Sequence, residues 1–140
     1  MKIFLDANIL VTVLNKEYPS YQHCARILSL PSPKYKICTS PVCLAIAFYF
    51  AEKKSRTTAK KKISLLCENI EITPVGLTTI QSALANPSVN DFEDGIEYYS
   101  AIEAGCQCII TDNTKDFYFS EIEVLASLDF YSKYMARQRP

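Results

Sequence analysis

The apolar positions of the chain fall into short blocks whose period changes from one block to the next. Lys2–Leu5 is an apolar run of strand length that stops at Asp6. From Asn8 to Leu14, the residues Ile9, Leu10, Val13 and Leu14 recur at helical spacing. Ser20 is placed to cap a second helix with Cys24, Ile27, Leu28 and Leu30 on its apolar face, ended by Pro31 and Pro33. Tyr35–Thr39 reads as a second strand. Ser40 followed by Pro41 is a capping residue with proline at the first helical position. The helix that follows, Val42–Lys54, is apolar around most of its circumference, which predicts burial between other elements. Thr57 or Thr58 is the expected cap of the next helix, which runs to about Asn69. A third strand is expected at Glu71–Val75, then a helix at Thr78–Ala85 closed by Asn86-Pro87. Asp91 opens a further helix that Gly105 closes. Strands at Cys106–Thr111 and Glu123–Ala126 and a last helix from about Leu128 to Ala136 complete the reading.

Strands that alternate with helices predict a single three-layer α/β/α domain over residues 1–140, with a mainly parallel sheet of four to five strands. Functional residues in such folds follow the carboxyl ends of strands. Asp6 follows the first strand, and Thr111-Asp112-Asn113 closes the fourth. Asp91, Glu93 and Asp94 begin the helix that leads into the fourth strand.

Composition narrows the classes. The chain has 140 residues, enough for one domain with a real core. Lys+Arg and Asp+Glu both number 15, so any nucleic-acid surface must come from local clustering. The three glycines, Gly76, Gly95 and Gly105, are dispersed, which excludes a glycine-rich phosphate loop. The six cysteines form no C-x-x-C pair and read as buried, reduced core thiols. With His23 the only histidine, no zinc-ligand spacing fits. Asp6 breaks the opening apolar run before it can serve as a signal peptide, and no run reaches the ~18 apolar residues of a membrane span. A cytoplasmic protein is expected.

Each acidic segment has a bland use and a chemical one. Asp6 can cap the helix after it, or it can bind a metal ion. Asp91 and Asp94, three apart, share a helical face and favour the helix dipole. Asp112, Asn113 and Asp116 suit a polar turn. Together they place acids at three points that a parallel sheet brings to one rim. Carboxylates that converge repel unless a cation joins them, and Mg²⁺ and Mn²⁺ both prefer oxygen ligands. Such a site suits phosphodiester cleavage. An aspartyl-phosphate enzyme also begins with an acid after strand one, but needs a second acid two residues on, where Asn8 stands.

Three stretches carry a resemblance: Lys2 to Leu10 around Asp6, Asp91-Phe92-Glu93-Asp94, and Ile109 to Phe117. In their order and spacing they resemble the PIN-domain family, specifically its VapC-like toxin ribonucleases. The resemblance implies an RNA-cutting enzyme dependent on Mg²⁺ or Mn²⁺, commonly a homodimer, held inactive by an antitoxin. Asp6 resembles the family's first metal-binding acid and Asp94 its third, with Asp91 as a helper. Asn113 and Asp116 resemble the fourth-acid region, so Asp6, Asp94 and Asp116 are the expected metal and catalytic residues. Asn8 and Thr111 resemble the polar residues that orient carboxylates or water, and Asp112 lies among them. Two positions depart from the family. Ala7 replaces a hydroxyl residue, and Ile46 stands where the second acid is expected. An aliphatic side chain cannot ligate a cation, so a domain that binds RNA or a protein partner without cutting is the alternative reading.

Lys53, Lys54, Arg56, Lys60, Lys61 and Lys62 cluster across a helix junction, either as a solvated face or as contacts to RNA phosphates. Arg137 and Arg139 carry the same two readings. Tyr98, Tyr99, Phe117, Tyr118 and Phe119 lie near the acids, as core or as stacking surfaces for bases.

Overall fold

The first strand, β1 (Lys2–Leu5), lies at the centre of the sheet, and Ile3, Phe4 and Leu5 are all fully buried. Successive strand residues point to opposite faces, so both faces of the sheet are covered. The computed structural model describes residues 1–30 and 33–136. Pro31, Arg137 and Arg139, read above as a helix end and as RNA contacts, lie outside the described residues.

The other strands are β2 (Lys36–Thr39), β3 (Glu71–Ile72), β4 (Cys108–Ile110) and β5 (Glu123–Leu125). Their order is β3-β2-β1-β4-β5, and every pairing is parallel. Helices α1 (Ala7–Leu14) and α2 (Tyr21–Leu28) join β1 to β2, and α3 (Pro41–Glu52) and α4 (Arg56–Asn69) join β2 to β3. Helices α5 (Leu77–Ala85) and α6 (Phe92–Glu103) lead to β4. A 3₁₀ turn, Thr114–Phe117, precedes β5, and α7 (Ser127–Phe130) follows it. The chain moves outward from β1 through β2 and β3, then returns to add β4 on the other side of β1. That reversal opens a crevice between the carboxyl ends of β1 and β4, the usual ligand position in such sheets.

The observed α/β fold with a parallel five-stranded sheet agrees with the sequence reading; several boundaries differ for local reasons. Ser20 is itself helical, at φ −78° and ψ −13°, and makes no side-chain cap. The helix expected to start at Thr57 or Thr58 starts earlier, because Ser55 Oγ accepts from the Thr58 amide at 3.3 Å. Strand β3 stops at Ile72; Thr73 still donates to Thr39 O, but Pro74 has no amide to continue the ladder. Cys106 is not in β4. Its amide donates to Ala101 O and that of Gly105, at φ +80°, to Ile102 O, so both residues cap α6. The last helix is shorter in its α part and continues as a π-type turn over Tyr131–Met135.

Helix α3 is not buried all round. Its small residues Cys43, Ala47 and Ala51 form the buried seam, four residues apart, while Tyr49 and Phe50 are 54% and 43% exposed. All six cysteines are free thiols, and five are buried; Cys67 is exposed on α4. No helix of the described residues is long and apolar enough to cross a membrane.

Candidate functional site

Strand β1 delivers Asp6 to the crevice, and the side chain has a definite structural task there. Its Oδ1 accepts from the Ala7 amide at 2.7 Å, which caps α1. Its Oδ2 accepts from Thr111 Oγ1 at 2.8 Å and from Asn8 Nδ2 at 3.2 Å. Both sequence readings of Asp6 are therefore compatible: the cap uses one face of the carboxylate and fixes its orientation.

Asn8 and Thr111 work as a brace across β1 and β4. Asn8 Nδ2 also donates to Thr111 Oγ1 at 2.9 Å, and Asn8 Oδ1 accepts from the Asp112 amide at 3.1 Å. Thr111 Oγ1 in turn accepts from the Asn113 amide at 3.1 Å. This network locks the turn after β4 against the start of α1, with Thr111 fully buried.

Helix α6 faces this brace with its acidic N-terminus. Asp91 caps it, Oδ1 accepting from the Glu93 amide at 2.9 Å. Burial pushes the Asp94 carboxyl up to about 7, and Asp91, Asp116, Asp6 and Glu93 each add to that shift by like charge. Glu93 is also raised, by burial and then by Asp91 and Asp6. Acids from three separate chain segments thus act on Asp94. Asp116 lies in the exposed 3₁₀ turn and Asn113 just before it.

Asp112 is drawn elsewhere. Its carboxylate accepts from the amide and the hydroxyl of Ser127, both at 2.9 Å, and so fixes the start of α7. The basic stretch also lies away from the acids. Lys54 Nζ donates to Asn15 O at 3.2 Å and Lys62 Nζ to Leu14 O at 2.6 Å, at the opposite end of α1 from Asp6. Lys53 sits over the Tyr49 and Phe50 rings, and Arg56 pairs with Glu52 at 3.9 Å; Lys60 and Lys61 are exposed. Among the aromatic residues, Tyr98 and Phe117 are core, Tyr98 stacking edge-on with Phe119. Tyr118 is exposed. A groove of about 960 Å³ bordered by Leu14, Ile37, Leu66 and Ile70 is also remote from the acids.

Sequence reasoning missed Glu97. It lies three residues beyond Asp94 on α6, is 1% exposed, and its Oε2 has no hydrogen-bond partner among the described residues. A carboxyl oxygen of Glu97, one of Asp6 and the Cys43 sulfur all lie within 4.8 Å of one another. Burial, then Asp6, Asp94 and Glu93, push the Glu97 carboxyl up to about 11. Burial also holds the Cys43 thiol well above its usual range, helped by Glu97 and Asp6. The signal available was the i, i+3 spacing from Asp94, which puts both acids on one face. Ile46, where an acid was expected, packs against the core and offers no ligand atom.

The donor set fits a divalent cation. Asp6 and Glu97 offer carboxylate oxygens close together, and one of them is an orphaned buried acid oxygen that a cation would satisfy. Residues 2–115 match the PIN domain family. Ribonuclease VapC1 of Aquifex aeolicus is 25% identical over 138 residues, covering 95% of each chain. Among solved structures, VapBC2 from Rickettsia felis bound to a promoter DNA fragment superposes with a TM-score of 0.71 at 20% identity, covering 89% of this chain and 97% of that one. VapC20 of Mycobacterium tuberculosis, a sarcin–ricin loop cleaving toxin, superposes with a TM-score of 0.66 at 15% identity, covering 86% and 98%. With its crevice, its convergent acids and this match over most of its length, the chain belongs to the PIN domain family.

Proposed function

We propose that this protein is a metal-dependent endoribonuclease, the toxin of a toxin–antitoxin pair, working as a single PIN-like domain over residues 1–140. The observation that carries the reading is the convergence of Asp6, Asp91 and Asp116 on the half-buried Asp94. Asp6, Asp94 and Asp116 hold Mg²⁺ or Mn²⁺ in this reading, and Asp91 and Asn113 assist. A divalent ion supplies charge neutralisation at the scissile phosphate and activation of the attacking water. Asn8 and Thr111 keep the Asp6 carboxylate aimed into the crevice. Asp94 on α6 supplies a second carboxylate within electrostatic reach of Asp6.

The named relatives support the class of substrate and partner: a ribonuclease, a sarcin–ricin loop cleaving toxin and, from Klebsiella pneumoniae, a toxin–antitoxin complex. An antitoxin protein, a cytoplasmic setting and a homodimer belong to the same proposal. The exposed Tyr49 and Phe50 on α3 are an apolar surface for a second copy. Ile46 favours one competing reading, a domain that binds RNA or a protein without cutting it.

Cleavage of a sarcin–ricin loop RNA with Mg²⁺ or Mn²⁺ tests the proposal, comparing the wild type with Asp6→Asn and Asp94→Asn. Cleavage by the wild type that both substitutions abolish is expected. Equal behaviour of all three proteins would remove the nuclease reading, and RNA binding without cleavage would favour the competing one.

A further inference from the structure

The one side-chain hydrogen bond given for Glu97 is to another acid, Asp6, and its second oxygen is left unmet among the described residues. A buried carboxyl group is normally satisfied by hydrogen bonds or paired with a base. The Glu97 Oε2 atom has neither among the described residues, and its nearest polar neighbours include another acid, Asp6, and a thiol, Cys43. A glutamine would fit the same space and could donate to Asp6. The acid at this position therefore works against the isolated fold.

A cation reverses that balance. Ligand oxygens about 2.1 Å from an octahedral ion stand about 3 Å apart when adjacent and about 4.2 Å when opposite. Oxygens of Asp6 and Glu97 already lie within 4.8 Å, so small side-chain rotations suffice. Cys43 is a poorer candidate, since Mg²⁺ and Mn²⁺ prefer oxygen to sulfur. Helix α3 supplies no carboxylate near the crevice, because Ile46 occupies the position in question.

We propose that Glu97 is the metal-site acid that α3 lacks, reaching the cation from α6 beside Asp6 and Asp94. The place left without an acid by Ile46 is then filled from the helix across the crevice, and the site keeps four carboxylates. This inference rests on the metal-site reading above.

Mn²⁺ titration by calorimetry on the full chain tests it, with thermal melting of the metal-free proteins as the second readout. Wild type is expected to bind Mn²⁺ and Asp6→Asn to lose it. Glu97→Gln should weaken binding by about 10- to 100-fold while melting, without metal, at or above the wild-type temperature. Glu97→Asp, which keeps the charge but shortens the reach, should fall between them. Wild-type affinity in Glu97→Gln with loss in Asp6→Asn overturns the role of Glu97 and leaves the metal site standing. So does a Glu97→Gln protein that melts lower yet keeps its affinity, since that describes a packing residue. Should Glu97→Gln fail to fold, wild-type affinity in Glu97→Asp overturns it equally. No Mn²⁺ uptake by the wild type, or undiminished uptake by Asp6→Asn, removes both readings.

Discussion

Helices α3 and α6 both bring side chains to Asp6, and they bring opposite chemistry. Helix α3 enters from Ser40 with Cys43, Ala47 and Ala51 as its buried seam and carries no acid in its first three turns. Helix α6 begins at Asp91 and carries Glu93, Asp94 and Glu97 within its first two turns. Ser40 Oγ caps α3 by accepting from the Cys43 amide at 3.1 Å, a purely structural use. The Asp91 cap of α6 also adds negative charge to a cluster already crowded with it. One wall can become apolar if the facing wall gains an acid at the right turn.

The comparison breaks most plainly in catalysis. Asp94→Asn on α6 should lower RNA cleavage by about 10³-fold, roughly 4 kcal/mol of transition-state stabilisation. Ile46→Ala on α3 should lower it by less than about tenfold, measured as kcat/KM on the same RNA. A larger loss from Ile46→Ala than from Asp94→Asn would mean that α3, not α6, shapes the reactive centre.

The next effect is mechanical. A Cβ at Gly95, between Asp94 and Glu97, would stand 2.7 Å from Val89 Cγ1 and 3.1 Å from Ala83 Cβ. Gly95, between the two acids, thus lets α6 lie close to α5. Gly95→Val should cost about 2 to 3 kcal/mol by urea unfolding, from overpacking. Unchanged stability would show that α6 has slack against α5.

A smaller effect is the pH dependence of the metal-free fold. Asp94 at about 7 and Glu97 at about 11 both sit above their unfolded values of about 4. The folded state therefore holds more protons than the unfolded one at neutral pH. Their contribution to stability is fully present below about pH 4 and is lost as pH rises through the folded values. Metal-free protein should melt at a lower temperature at pH 8 than at pH 5, and Glu97→Gln should flatten that fall. A melting temperature that rises across this range in the wild type would remove the charge crowding on which the α6 side of the comparison depends.

The sequence made some of this legible because the chemistry sits beside the punctuation of the fold. Asp6 follows an apolar run, and Thr111 to Asp116 follow another, so strand ends marked them directly. Asp91 to Asp94 stand at a helix start that the alternating pattern also required. Glu97 was hidden for a physical reason. In sequence it is one polar residue between Ile96 and Tyr98, and only tertiary burial distinguishes it from an exposed glutamate. Asp112 looked like its neighbours, but its partner Ser127 belongs to another helix. The apolar circumference of α3 suggested full burial, whereas its small residues set the close approach and its large ones face outward. Cys106 continued an apolar run, yet the helix cap claimed its amide before the strand could.

The smallest expected effect concerns the other end of α1, where the charge is positive. Asp6 caps the N-terminus of this eight-residue helix, and Lys54 and Lys62 reach the carbonyls at its C-terminus, about 12 Å away. Cations at a helix C-terminus stabilise its dipole by about 0.3 to 1 kcal/mol. Lys62→Ala should therefore cost up to about 1 kcal/mol of stability, the loss shrinking at high salt as screening takes over. If Lys62 instead met an RNA phosphate, stability would hold, and its removal would lower the slope of log affinity against log salt by about 0.7 to 0.9. Denaturation and salt-dependent RNA binding on the one variant separate the two outcomes. The first leaves α1 as a helix held at both ends by charge, with its acid end alone turned to chemistry. The second would make the basic end part of the substrate path and extend the functional surface along the whole helix.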